Sequence, residues 1–276
     1  MTDEARAFVP GHITGFFSAH PNEDDPTKAG SRGAGLTLTD GVDVTVRPSD
    51  EPRVTLNDEY VSVESVETVL RTLDAQVAVE AETVLPLGAG FGVSGAMALG
   101  AALATNRVLD RKLSENELVT IAHGAEVQAG TGLGDVVAQA RGGIPIRLEP
   151  GGPQHNLLDA IPARARVEYL NLGQLSTAEV LSSDTDQLSA AGKQALSRVV
   201  KEPTLPSFIF ASRRFAREAE LLTPEVRRVI EDVLDVGGQA SMAMLGETVF
   251  ALGTGLSDAG YDASVCGTHP AGAMLK

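Results

Sequence analysis

The sequence predicts an α+β fold, in which separate strands and helices pack together, rather than a doubly wound parallel sheet. Three observations carry this. Residues 77–83 alternate Val77, Val79, Ala81 and Thr83 with Ala78, Glu80 and Glu82, the pattern of a strand with one wet face. Residues 63–73 place Val63, Val66, Val69, Leu70 and Leu73 at helical spacing. Further strand-like and helix-like segments are mixed along the chain, whereas a buried parallel sheet would call for near-continuous apolar strands.

Taken in order, residues 7–10, 34–39 and 42–47 read as strands, and the polar, Gly- and Pro-rich stretch between the first two reads as a loop. After the helix at 63–73 and the strand at 77–83 comes a glycine-rich stretch, then a helix of small residues at 94–109. Ser114 and Glu117 form a capping-box pattern that starts a further helix, with Leu118, Ile121, Ala122 and Ala125 on one face and a stop at Gly130. GTGLGDVVAQARGGIPIRLE passes from a loop through a short helix to a strand. RVEYLNLG opens a second half with a strand, helical patterns follow around 190–200, 207–222 and 224–236, and ETVFALG ends it before a glycine-rich tail. Gly-Gly-Pro at 151–153 marks the expected boundary between units 1–152 and 153–276.

The chain has 276 residues, 43% of them hydrophobic, so it can build a core. Its one cysteine, Cys266, excludes an internal disulfide framework, and no run reaches the ~20 apolar residues of a membrane span. No leader-like apolar segment follows the acidic N-terminus, so a cytoplasmic protein is expected. The 37 acidic residues against 22 basic ones give a formal charge of -15, which repels nucleic acid and anionic membranes. The acids are scattered, the pattern of a solvated surface suited to high intracellular salt and a salt-loving host. The five histidines show no zinc-ligand spacing such as H-E-x-x-H.

LPLGAGFGVSGAMALGAALA, at 85–104, raises the functional question. Gly90, Gly92 and Gly95 satisfy G-x-G-x-x-G, but the strand before them carries Glu80 and Glu82, and Asp110 follows a helix instead of ending a second strand. A Walker loop needs a lysine, and none lies between Lys28 and Lys112. Two readings remain open on spacing alone: backbone amides that wrap a phosphate at a helix start, or a turn followed by close helix packing with Ser94 as N-cap.

PLGAGFGVSGA resembles the second motif of the GHMP kinases, with Pro86, Gly90, Phe91, Gly92, Ser94 and Ala96 in register and Val93 and Gly95 as departures. AFVPGHITGFFS, GSRGAGLTL, GAGFGVSGA and MLGETVFALG, in this order, resemble the archaeal branch that phosphorylates pantoate. The resemblance implies a two-lobed α+β fold, ATP and Mg²⁺, an alcohol as phosphoryl acceptor in coenzyme A synthesis, and it allows a homodimer. It places Pro86, Gly88, Gly90, Gly92, Val93, Ser94 and Gly95 on ATP, Ser94 and Glu126 on the metal, and Asp135 on the acceptor hydroxyl. Two hard-cation ligands from protein suit Mg²⁺. His12 and Thr14 match the motif near the acceptor, Phe16 and Phe17 are candidates for its apolar wall, and Arg32 is the candidate clamp for a carboxylate. Each has a plainer reading: Glu126 as a surface residue, Asp135 as a helix cap, His12 as packing, Arg32 as a loop residue, and Phe16 and Phe17 as core.

Overall fold

The computed structural model describes residues 3–173, 186–244 and 246–276. Leu245, within the MLGETVFALG stretch, lies outside them. Two sheets organise the described residues. The larger has eight strands and runs β12-β1-β2-β5-β3-β4, with β6 joining β2 and β7 joining β6. Its long strands are β1 (Ala5–His20) and β2 (Gly30–Pro48), followed by β3 (Arg53–Leu56), β4 (Glu59–Tyr60), β5 (Val77–Glu82), β6 (Pro145–Glu149), β7 (Leu157–Ala160) and, from the chain's end, β12 (Met274–Leu275). The smaller sheet is antiparallel, ordered β11-β8-β10-β9, from β8 (Arg166–Gly173), β9 (Gln239–Ala243), β10 (Glu247–Leu252) and β11 (Ser264–Gly267). The second sheet is thus drawn wholly from residues after 153, while β7 and β12 return to the first.

The wet-faced strand at 77–82 is β5, with Val77, Val79 and Ala81 buried. It pairs antiparallel with β2 and parallel with β3. A dinucleotide-binding unit would need a strand buried on both faces here, and with Glu80 half-buried and Glu82 exposed that use of the glycine stretch is excluded. Helix α1 (Glu64–Thr72) buries Val66, Val69 and Leu70, as the spacing requires. The capping box of Ser114 and Glu117 is present at the start of α3 (Glu115–Ala129), and Gly130 closes that helix at φ 67°.

Two expectations are corrected. The strand at 7–10 is part of a sixteen-residue strand, and the expected loop at 18–35 is confined to residues 21–29, so Arg32 sits within β2 and not on a loop. The glycines that suggested a loop are there because neighbouring chains come close. A Cβ on Gly33 would lie 2.2 Å from the Phe16 carbonyl oxygen, and one on Gly35 would lie 2.3 Å from His12 Nε2. Bulges between Pro10 and His12 and between Thr14 and Phe16 keep β1 in register with β2 through this crowding.

Helix α2 (Val93–Val108) lies across β1 and β2 and is buried on nearly every side. Its small residues permit that approach: a Cβ on Gly100 would meet Val44 Cγ2 at 2.5 Å. Behind β1 pack α5 (Asp186–Lys201) and α6 (Leu205–Glu218), while α7 (Pro224–Asp235) covers β9 and β10. The short helices α4 (Asp135–Arg141) and α8 (Gly255–Asp258) complete the described set. Phe16 is core, facing Phe208 with ring centroids 6.2 Å apart. No helix among the described residues is long and apolar enough to cross a membrane.

Candidate functional site

A cleft opens where the glycine loop, the 131–135 turn and the middle of β1 meet. Its lining includes Thr14, Phe17, Ser31, Gly90, Gly92, Ser94, Asp135 and Arg147. The loop is held from behind by its carbonyls. Ala89 O accepts from Thr248 Oγ1 at 2.8 Å, Phe91 O accepts from His12 N at 2.9 Å, and Gly92 O accepts from Gln139 Nε2 at 2.9 Å. These peptides are trans, which points each following N–H away from its carbonyl. Gly90, Gly92 and Val93, whose amides follow these bonded carbonyls, all line the cleft. Gly88, Gly90 and Gly92 all have positive φ, between 62° and 87°, a conformation that glycine adopts without strain. Gly92 N-caps α2 with no side-chain cap bond, so Ser94 is not the cap that the packing reading required. The first amides of α2 lie beyond the reach of intrahelical bonds, adding partial positive charge on the same side. Pro86 precedes the loop and is not among the lining residues, whereas Gly88 and Val93 are. Gly95 is buried, and a Cβ there would press on Val136 and Gln139.

Two acids face this loop. Glu126, on α3, is 2% exposed, which excludes the surface reading. It accepts from Ser94 Oγ at 3.2 Å and from Thr131 Oγ1 at 3.0 Å. Burial, with the charge of Asp135 nearby, raises its pKa to about 7 despite the bonds it accepts. Asp135 is the first residue of α4, and Gly134, not Asp135, holds the N-cap position. Its Oδ1 lies 2.7 Å from His12 Nδ1. The His12 ring is wholly buried and its Nε2 has no partner, so burial holds its pKa below the usual value and we assign a neutral ring whose Nδ1–H donates. Burial alone would raise the Asp135 carboxyl, but the His12 bond and the Arg147 charge outweigh it and hold it below the ordinary range.

Gly132 lies beside both acids. A Cβ built on it would fall 2.6 Å from Glu126 Oε2 and 3.1 Å from Asp135 Oδ2. The absence of that carbon leaves an all-oxygen setting of Glu126, Ser94, Thr131 and Asp135, which fits a small hard cation. No cluster of three or more His, Cys, Asp or Glu suited to a metal occurs among the described residues, so such a cation would draw its remaining ligands from phosphate and water.

Sequence reasoning missed Arg147. It stands on β6, 1% exposed, and its Nε and Nη1 have no hydrogen-bond partner. Burial lowers its pKa to about 10, partly countered by the Asp135 charge. A buried guanidinium with free donors at the edge of a cleft is set to receive an anion. Arg32 does not line the cleft: Ser31 does, and the next residue of a strand points to the opposite face. Thr14 and Phe17 line it. Gln139 was missed as well. It is fully buried and ties the loop carbonyl of Gly92 to the helix that carries Asp135. Replacing it with methionine, which fills a similar space without the donor, is expected to lower kcat about fivefold to tenfold, the worth of one net hydrogen bond. Steady-state kinetics against circular dichroism of the same variant checks this.

A glycine loop at a helix start, two acids and a buried cation with unpartnered donors are the parts of a phosphoryl-transfer site. The model of the GHMP kinases N-terminal domain matches residues 61–143. Pantoate kinase of Methanospirillum hungatei is 35% identical over 256 residues, covering 90% of this chain and 86% of that protein. That of Thermococcus kodakarensis is 35% identical over 263 residues, covering 90% and 87%. A solved structure described as a phosphotransferase related to the CoA biosynthesis pathway superposes with a TM-score of 0.88 at 31% identity, covering 99% of this chain and 98% of its own. Homoserine kinase from Cytophaga hutchinsonii shares the fold at 18% identity, with a TM-score of 0.70. The chain belongs to the GHMP kinases, on the branch of the pantoate kinases. It is an ATP-dependent small-molecule kinase of the two-lobed α+β fold.

Proposed function

We propose that this chain phosphorylates pantoate, transferring the γ-phosphoryl group of ATP to the primary hydroxyl to give 4-phosphopantoate and ADP in coenzyme A synthesis. The observation that carries the acceptor is Arg147, a buried cation with free donors across the cleft from the glycine loop. It matches an acceptor that bears a carboxylate. The full-length likeness to pantoate kinases supports the same acceptor.

The residues divide the work as follows. The amides of Gly88, Gly90, Gly92, Val93, Ser94 and Gly95 bind and orient the triphosphate, and Pro86 fixes the entry to that loop. Ser94 and Glu126 would hold Mg²⁺, which when bound offsets phosphate charge. Arg147 binds the carboxylate. Arg32, the clamp expected from the sequence, lies outside the cleft lining and contributes to the charge around His20 instead. Thr14 and Phe17 border the acceptor. Asp135 orients the hydroxyl, whose oxygen attacks the γ-phosphorus as the bond to the bridging oxygen breaks. With its pKa held low, Asp135 is a weak base, so it takes the proton late, as the alcohol acidifies in the transition state. His12 holds the carboxylate in place through Nδ1–H.

The same reading includes lobes at 1–152 and 153–276, with β7 and β12 crossing back. It also includes a cytoplasmic location in a salt-loving archaeon, which the acidic surplus supports, and a homodimer, with neither nucleic acid nor a membrane as partner. A coupled ADP-release assay in high KCl with pantoate, homoserine and mevalonate tests the acceptor. Turnover with pantoate at least 100-fold above the other two is expected. Preference for either of the others would overturn the assignment.

A further inference from the structure

Away from the cleft, α6 and α7 enclose a groove of about 270 Å³. Phe210, Leu222, Ile230 and Leu234 give it apolar walls, and Phe210 and Leu234 remain more than a third exposed. Four arginines, Arg213, Arg214, Arg217 and Arg227, line it against a single glutamate, Glu231. In a chain of net charge -15 this is a local reversal of sign.

These cations are poorly neutralised. Arg214 pairs with Glu218 at 2.6 Å, but no ion pair is formed by Arg213, Arg217 or Arg227 among the described residues. Arg213 only reaches the Ala240 carbonyl, at 3.4 Å. Burial, and after it the neighbouring charge of Arg217, push the Arg213 pKa down. Arg198 stacks on Phe210 with its guanidinium carbon 4.3 Å from the ring centroid, adding a fifth cation at the rim. An isolated surface arginine needs no explanation. Three unneutralised ones around an apolar floor match one ligand chemistry: an anionic head relieves the repulsion and an apolar body covers the floor.

We propose that the groove between α6 and α7 binds a small amphipathic anion, a phosphate or carboxylate carried on a short apolar body. The site is separate from the catalytic cleft and does not depend on the acceptor assigned above. Arg213 belongs both to the groove and, through Ala240, to β9, the strand that runs into Met244 at the cleft.

Isothermal titration calorimetry of the intact protein with hexyl phosphate tests this, with inorganic phosphate and hexanol as the separate halves of the probe. One-site saturable binding is expected, at least tenfold tighter than either half, and weakened at least tenfold in Arg217→Glu and in Arg227→Glu. Kinase activity at the parent's level in both variants shows that they are folded. Parent-like affinity in the two variants would place the probe elsewhere and overturn the proposal, as would the absence of saturable binding. A dimer in light scattering that Arg217→Glu dissociates would assign the groove to an acidic face of a second copy, which also overturns it.

Discussion

Arg147→Met is expected to raise the KM for pantoate and lower kcat/KM roughly 30-fold to 5,000-fold, since losing one partner of a buried charge pair costs about 2–5 kcal/mol. The KM for ATP should change little, because the loop amides and Glu126 are held by other contacts. The ligand-free variant should melt higher than the parent. In the parent the guanidinium is buried with Nε and Nη1 unpartnered, and its pKa falls to about 10. For a base, a folded value below the unfolded one means that the charged form is disfavoured by folding at every pH below about 10. Replacing such a charge by an apolar side chain stabilises by on the order of 1–4 kcal/mol, and each kcal/mol moves the midpoint of a chain this size by roughly 2–4 °C. Loss of acceptor binding together with a raised melting temperature separates a binding residue from a structural one. A variant that melts lower and binds pantoate as before would refute the role.

The sequence disclosed what local patterns encode. Alternation at 77–82 marked β5, the Ser114–Glu117 pair marked the start of α3, and Gly130 marked its end, because each signal arises within a few residues. The glycines of β2 misled, since their cause is the approach of Phe16 and His12 from the neighbouring β1, which composition cannot distinguish from a turn. Strand β12 was invisible for a related reason: two exposed residues pair with β1 from the far end of the chain. Asp135, Glu126 and Ser94 were reached through motif resemblance, and the structure brings them to one cleft. Arg147 did leave a signal, a lone arginine inside the apolar run IPIRLE. Its meaning depends on β6 pairing with β2 at Gly33, a contact that no local pattern announces.

Glu126→Gln should lower kcat by at least two orders of magnitude, since a phosphate-bound cation is worth several kcal/mol of transition-state stabilisation. Its effect on the metal-free protein should be the reverse. The folded carboxyl has a pKa of about 7 against the ordinary 4.5. Below pH 4.5 it is protonated in both folded and unfolded chains and contributes nothing. As pH rises from 4.5 to 7 the unfolded chain ionises while the folded one keeps its proton, so stability falls, by roughly 3 kcal/mol at most at 1.36 kcal/mol per pH unit. Above 7 the penalty is complete and constant. Glutamine cannot ionise, so urea midpoints of parent and variant should coincide near pH 4 and separate, with the variant higher, by pH 7.5. Because the other carboxylates are common to both proteins, the difference isolates this group. Mg²⁺ with ATP should close the gap for the parent alone, and its affinity should rise up to tenfold per pH unit below 7 and level off above it. A gap that is constant across this pH range would mean that Glu126 is already ionised without metal, and the buried-acid account of the site would fail.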